Sequence, residues 1–430
     1  MTGTIVWMLF LLFGLVAINV PIAIALGIVA AAAMVLTQGP EILPNVALVM
    51  YDGATNFSLL AIPLFIFAGS IMNATGISRR LIAFATSLVG FIRGGLAMVS
   101  IVTSMFFAEM SGSAVADVAA LGTILAPAMK KSGYPSSFAA AVLSSAATIA
   151  VIIPPSIPMI IYAVMSESSV VKLFLAGFIP GVMVGGMMML MSYWFARRYN
   201  YPVAQKFDWK TLWSTFKEAS WSFLLPVVIL GSIFGGLVTA TEGAGLAVVT
   251  ALFVGGVIYR ELRWKDLRMA MLEGAVSTAV VMLLVASSAL LGTYMTELRV
   301  PQKLAETIVS LTADRYVILA LLNVCFLILG CFLHSAAAII LVVPIVMPLI
   351  HAVGIDPVHF GIIVTINLGI GQQTPPVASV LITACSVARA DIWEVTKVNV
   401  YFIAVMLVVL ILCTYVPAIP LAPVHLLYGS

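Results

Sequence analysis

Residues 110–122 read MSGSAVADVAALG. Two serines, a glycine and an aspartate stand inside a run otherwise oily enough to enter a bilayer. Lipid offers no partner to an interrupted backbone, so a Ser-Gly-Ser break at membrane depth requires a protein-lined cavity around it. A second interruption occurs in residues 333–350, LHSAAAIILVVPIVMPLI, at the same place relative to its neighbours. A break that recurs points to two halves of one machine meeting at a shared site.

Composition sets the outer bounds. Hydrophobic residues make up 63% of the 430 residues and charged residues 9%, whereas soluble domains are about half apolar and a quarter charged. The chain therefore reads as a polytopic membrane protein. The ~10-residue alternating segments of a transmembrane barrel are absent, which makes the fold class all-α. The net charge of +3 is small and confined to a few loops; it bears on topology and gives no footprint for nucleic acid. Cys325, Cys331, Cys385 and Cys413 lie in apolar segments without metal or disulfide spacing and read as small core hydrophobes. The N-terminal apolar run lacks a basic n-region and a small-residue cleavage site, so it reads as a retained span.

Residues 4–37 exceed one span, and Asn19-Val20-Pro21 divides them into two short helices. Residues 38–56 form a polar-leaning connection without a basic residue, expected outside. A third span, 59–71, ends just before Arg79-Arg80, expected inside. Residues 78–92 place Leu81, Phe84, Ala85, Leu88, Phe91 and Ile92 on one face, which suits a helix in the interface plane. A re-entrant hairpin follows at 94–131: Arg93 and Lys130-Lys131 mark both ends, and each arm is short for ~30 Å of hydrocarbon. A helix from Phe138 breaks at Ile153-Pro154-Pro155-Ser156, and a span over 171–195 returns to Arg197-Arg198. The long hydrophilic stretch 196–220 reads as cytoplasmic.

The second half repeats this order. Two spans meet near Thr239-Ala240-Thr241-Glu242, the basic loop 260–268 is expected inside, and another span covers 269–295. Residues 302–313 (QKLAETIVSLTA) align with 79–90 (RRLIAFATSLVG). A hairpin at 316–350 has its tip at His334-Ser335. The next helix breaks at Gly369 to Pro376, and one last span closes the chain. Pro154-Pro155 and Pro375-Pro376 stand 221 positions apart, as do Pro127 and Pro348. The chain thus divides into a first repeat at 1–199, a linker at 200–220 and a second repeat at 221–430. Each repeat holds five transmembrane spans and one re-entrant helical hairpin. Five is odd, so the repeats are inverted, the second hairpin opens to the outside, and both termini are periplasmic. Inverted repeats with paired broken helices point to a transporter whose site lies at the midplane.

Helices that stop at mid-membrane leave N–H groups that favour anions at one end and carbonyls that favour cations at the other. Ser111, Gly112 and Ser113 with the break at Ile153, Pro154, Pro155 and Ser156 can gather carbonyls and hydroxyls, an oxygen-only set that suits a hard cation such as Na⁺. His334 and Ser335 with Gly371, Gln372, Gln373 and Thr374 offer the same chemistry. The alternative, that these are Pro kinks and Ser back-bonds, explains one break more readily than two matched pairs. Asp117 is an intramembrane carboxylate and hence a functional candidate, as a ligand or as a brace of the tip. The second hairpin has no acid at the matching place, which favours the brace. No Arg or Lys lies in either broken region, so a bound anion would rest on helix N-termini, hydroxyls and amides. Glu109, Glu167 and Glu242 read as solvated, and Met187-Met188-Met189-Leu190-Met191 as adaptable packing. There is no Walker A, HExxH or TVGYG sequence, which removes support for ATP drive, zinc proteolysis and a K⁺ filter; nothing suggests an enzyme.

On these residues the chain resembles the large membrane subunit of a TRAP (tripartite ATP-independent periplasmic) transporter. The most specific segments are MSGSAVADVAALGTILAPAM (110–129), IIPPSIPMIIYA (152–163), KLFLAGFIPG (172–181), GSIFGGLVTATEGAG (231–245) and GQQTPPVAS (371–379). TEGAG differs modestly from the Thr-Glu-Ala-Ala form of the family, small residues replacing small ones. The resemblance implies an elevator-type ion-transporter-like fold in the bacterial inner membrane, importing an organic acid on a gradient of two or more Na⁺. Family substrates include C4-dicarboxylates and sialic acids. It also implies two partners: a periplasmic substrate-binding protein and a small four-helix membrane subunit. Cation ligands are expected from Ser111, Gly112, Ser113, Ile153, Pro154, His334, Ser335, Gly371, Gln372 and Thr374. Substrate contacts are expected from Ser113, Asp117, Pro155, Ser156, Ser335, Gln373, Thr374 and Pro375. The rival readings are a stand-alone Na⁺- or H⁺-coupled carboxylate carrier and a channel.

Overall fold

In a computed structural model the described residues are 7, 8, 10–12, 14, 15, 18, 20–312 and 314–429, without the side chains of Met110 and Ser111. All regular structure among them is helical, and eight helices are long and apolar enough to cross a membrane. The expected break at Asn19 lies outside the described residues, but α1 (Ile22–Gln38) does begin directly after Pro21.

The first half continues with α2 (Leu43–Ala54), α3 (Ala61–Ala74), α4 (Ile77–Val89), the hairpin α5 (Gly95–Ser111) and α6 (Ala114–Lys131), the broken pair α7 (Ser136–Ala147) and α8 (Ile157–Met165), and α9 (Val170–Arg198). The second half holds α10 (Trp209–Phe234), α11 (Ala240–Leu252), α12 (Trp264–Glu297), α13 (Val300–Leu311), the hairpin α14 (Arg315–Phe332) and α15 (Ser335–Ala352), the broken pair α16 (Pro357–Gly371) and α17 (Ser379–Ala388), then α18 (Ile392–Tyr415) and α19 (Ala418–Tyr428).

Three stretches differ from the sequence reading. The connection 38–56 contains α2, whose only buried residue is Val46; one apolar stripe on a polar segment is too weak a pattern to stand out. The hydrophilic linker is irregular only over 199–208. Asp208 then accepts hydrogen bonds from the Lys210 and Thr211 amides and starts α10, so the basic residues to 220 ride on a helix. After the last span α18, the short α19 packs back on α9. The arms of the hairpins are 17 and 18 residues long, about 26 Å at 1.5 Å per residue. Arm length therefore does not by itself mark them as re-entrant.

Position does. The tip of the first hairpin, Gly112 to Ala114, and that of the second, through His334, Ala336 and Ala337, border the same cavity. The broken helices run antiparallel: at the far end of α8 the Tyr162 hydroxyl donates to the Pro357 carbonyl at the start of α16 (2.7 Å). Each hairpin packs on the other half's broken helix, α6 on α17 and α15 on α8. The two halves are thus inverted copies interleaved at their breaks.

The remaining helices form a frame. α12 packs along α1, α2 and α3, and α3 also packs on α11. The helix α4 lies against α10 and α5 with Ile77, Leu81, Phe84 and Ala85 buried. Arg80 fastens it to the basic loop: two guanidinium nitrogens donate to Glu261 at 2.7 and 3.0 Å, and the group stacks 3.8 Å from the Tyr259 ring centroid.

Candidate functional site

Ser113 is the N-cap of α6, accepting from the Ala116 amide. Gly112, just before it, has φ 60°, a left-handed conformation suited to glycine. A Cβ there would stand 3.2 Å from the Pro155 carbonyl oxygen, so the first tip abuts the first break directly. The second pair closes even more tightly. A Cβ on Gly371 would stand 2.4 Å from Gly330 Cα, which brings α14 against the end of α16. The Val377 amide donates to the Cys331 carbonyl (3.2 Å), and the Gln372 amide group donates to Ser335 Oγ. α15 begins at Ser335, with His334 as its N-cap residue.

A third set of contacts ties the second break to the helix that leads into the first. Ser145 Oγ on α7 lies 2.7 Å from Gln373 Oε1 and 2.8 Å from Asn399 Oδ1, and Asn399 Nδ2 donates to the Gln373 carbonyl (3.0 Å). All three residues are fully buried. Leaving any of these polar groups unpaired in an apolar interior costs about 1–3 kcal/mol, so the network fixes the second unwound segment against α7, which leads into the first break, and against α18.

Tips and breaks open onto a cavity of about 720 Å³. Four of the expected residues line it: Gly112, Ser113, His334 and Gln372. The others are packed behind that wall. Ile153, Pro154, Pro155 and Ser156 are buried, and the Ser156 hydroxyl donates to the Val151 carbonyl (2.8 Å). Ser335, Gly371 and Gln373 are buried as well, while Thr374 and Pro375 are half-buried, Thr374 Oγ1 donating to the Ile370 carbonyl. Asp117 is fully buried in the first turn of α6 and does not line the cavity. The Ser111 side chain lies outside the described residues.

The opposite wall comes from the frame and was not anticipated. Ser70 and Asn73 on α3, and Glu273 and Ser277 on α12, face the tips across the cavity. Glu273, Ser277, Val280 and Leu284 recur at helical spacing, a stripe with polar residues at its first two positions that could have been read from the sequence. All four polar residues lie on the halves of α3 and α12 that adjoin Arg79, Arg80 and the basic loop 260–268. Among the described lining residues there is no Lys or Arg.

The tips and breaks gather hydroxyls, amides and backbone carbonyls beside the His334 imidazole, with the Glu273 carboxyl on the opposite wall. Ser144 Oγ and Asn367 Oδ1, buried on the helices that lead into the breaks, have no hydrogen-bond partner among the described residues. Among the described residues no group of three His, Cys, Asp or Glu could hold a metal ion. Such a set fits a monovalent hard cation and offers none of the clustered carboxylates or thiolates of divalent and soft-metal sites.

The family model described as "Tripartite ATP-independent periplasmic transporter, DctM component" matches residues 9–419. The chain belongs to this family. Relatives of this TRAP large permease include the isethionate TRAP transporter permease protein DctMQ of Oleidesulfovibrio alaskensis, 41% identical over 94% of this chain. The chain spans 64% of that longer relative. The C4-dicarboxylate permease DctM of Vibrio cholerae is 36% identical over 95% of this chain and 94% of its own length. The sialic acid permease SiaM of the same organism is 37% identical over 100% and 99%. The crystal structure of the YdaH transporter of Alcanivorax borkumensis, at 14% identity, superposes with a TM-score of 0.62 over 87% of this TRAP permease and 89% of that chain; it speaks for the fold alone.

Proposed function

We propose that this TRAP large permease imports an organic acid with two or more Na⁺, by an elevator motion. The observation that carries the reading is the convergence of two hairpin tips and two helix breaks on one cavity in a chain of this family. The first cation falls to Ser111, Gly112 and Ser113 with Ile153 and Pro154, and the second to His334, Ser335, Gly371, Gln372 and Thr374. The substrate carboxylate lies between the N-termini of α6 and α15, near Ser113, Pro155, Ser156, Ser335, Gln373, Thr374 and Pro375, where the positive end of each helix dipole favours an anion. Asp117, buried inside the hairpin, serves as a brace of the tip.

The tips and breaks, tied by the Ser145–Gln373–Asn399 network, move as one body against a frame of α1, α3 and α12. The cavity, bordered by the basic-side halves of α3 and α12, represents the inward-facing state. The linker 196–220 is cytoplasmic, both termini are periplasmic, and the membrane is the bacterial inner membrane. A periplasmic binding protein delivers the acid, and a small four-helix membrane subunit extends the frame. The relatives' substrates place isethionate, C4-dicarboxylates and sialic acids first among the acids to test.

The experiment is uptake of labelled acid into proteoliposomes holding this chain with its small partner. Uptake requires both an inward Na⁺ gradient and the cognate binding protein. Strong Na⁺-driven uptake of free acid without the binding protein would replace this reading with a stand-alone carrier. Uptake indifferent to Na⁺ would remove the cation sites.

A further inference from the structure

The methionine-rich run 187–191 lies on α9, away from the cavity, and no transport step uses it. Met187, Leu190, Met191 and Trp194 fall at helical spacing and form, with Tyr401 and Val405 of α18, a groove of about 380 Å³ on the outer face of the molecule. Leu190 is 70% exposed, so the groove is open along its length. Both stripes, continued one turn toward the linker, end on a cation: Trp194 is followed by Arg198 and Tyr401 is preceded by Lys397. The Arg198 guanidinium stands 5.2 Å from the Trp194 ring centroid and that of Arg197 5.5 Å from the Tyr193 centroid. Lys397 is engaged by Glu394 at 2.8 Å. Neither arginine is in an ion pair among the described residues.

We propose that this groove is a binding site for an anionic glycerophospholipid. One acyl chain lies along Met187, Leu190, Met191, Val405 and the ring faces of Trp194 and Tyr401, and its phosphate is held by Arg197 and Arg198. An apolar groove facing hydrocarbon gives a polar ligand nothing to bond, whereas methionines adapt to a flexible chain. A Trp at the rim suits the headgroup boundary. Guanidinium groups match phosphate geometry bidentately and are favoured over ammonium groups for it. Anionic lipids also concentrate where basic residues flank spans.

The test is native mass spectrometry of the full chain in mild detergent, titrated with phosphatidylglycerol and with phosphatidylcholine of the same acyl chains. The expected result is one saturable phosphatidylglycerol adduct, at least about fivefold tighter than the first phosphatidylcholine adduct. R197Q/R198Q should weaken phosphatidylglycerol about tenfold and leave phosphatidylcholine unchanged, while R197K/R198K, which keep the charge, retain most of the preference. Leu190→Trp, at a 70% exposed position, fills the groove and should weaken both lipids. Equal binding of the two lipids would overturn the proposal, as would an unaltered phosphatidylglycerol adduct in L190W. So would finding Trp194 shielded by the co-purified small subunit with no lipid bound.

Discussion

A single added carbon tests how tightly the second break is closed. With Gly330 Cα only 2.4 Å from where a Cβ on Gly371 would lie, Gly371→Ala forces α14 away from α16. Overpacking of this kind costs about 1–3 kcal/mol. A lowered melting temperature in detergent is expected, while Gly186→Ala, which meets nothing within 4 Å, should be neutral or slightly stabilising. Glu273 makes a different prediction. A carboxylate across the cavity from a bound organic anion repels it by about 1–2 kcal/mol at an effective dielectric near 20. Glu273→Gln is therefore expected to lower several-fold the internal substrate concentration that half-saturates exchange, measured by counterflow; an unchanged value would place the acid outside the substrate's field. Gly112, Ser113, His334 and Gln372 were legible in the sequence because polar and small residues contradict an apolar run. Glu273 and Ser277 left a readable stripe on α12, but Ser70 and Asn73 contradict nothing in α3, and only the packing of α3 beside α12 brings all four to face the tips.

The helix α4 was legible as an amphipathic helix from its apolar face, yet its fastening was not. Arg80 and Glu261 are 181 positions apart, and no local pattern pairs them. The Arg80 hydrogen bond holds the Glu261 carboxyl below the ordinary carboxylate range. A depressed carboxyl contributes stability above its unfolded pKa, ~4.3 for Glu, and that contribution is lost as pH falls through the folded value. The pair is partly exposed, so its worth is within the ~0–1 kcal/mol of surface ion pairs. The melting-temperature difference between wild type and Glu261→Gln should thus be positive at pH 7 and shrink toward zero on acidification below about pH 4. A difference independent of pH would show that the ion pair contributes nothing. The helix α10 carries a sidedness prediction: a cysteine at Lys210 should react only with impermeant reagent admitted from the cytoplasm, and one at Gln38 only from the periplasm. Reversal of both would overturn the inverted assignment of the spans. The missed α2 and α19 share one cause, shortness: each is under four turns, and neither breaks the hydropathy of its surroundings.

At the scale of the molecule, the repeat was legible because the 221-residue spacing of Pro154-Pro155 and Pro375-Pro376 survives in the chain. The meeting of the two tips at one cavity follows from interleaving, each hairpin lying on the other half's broken helix. The proposed elevator motion takes the tips and breaks as the moving set and α1, α3 and α12 as the frame. Impermeant maleimide labelling in proteoliposomes, on a background without Cys325, Cys331, Cys385 and Cys413, tests this division most directly. Ala337 sits on the second tip and Ser277 on the frame, both on the cavity wall. Tips carried across the bilayer predict that Ala337→Cys is labelled from the cytoplasmic side under one distribution of Na⁺ and substrate and from the periplasmic side under the other, while Ser277→Cys reacts only from the cytoplasmic side. Labelling of Ala337→Cys from one side under every condition, or from both sides at once as in an open pore, would contradict it.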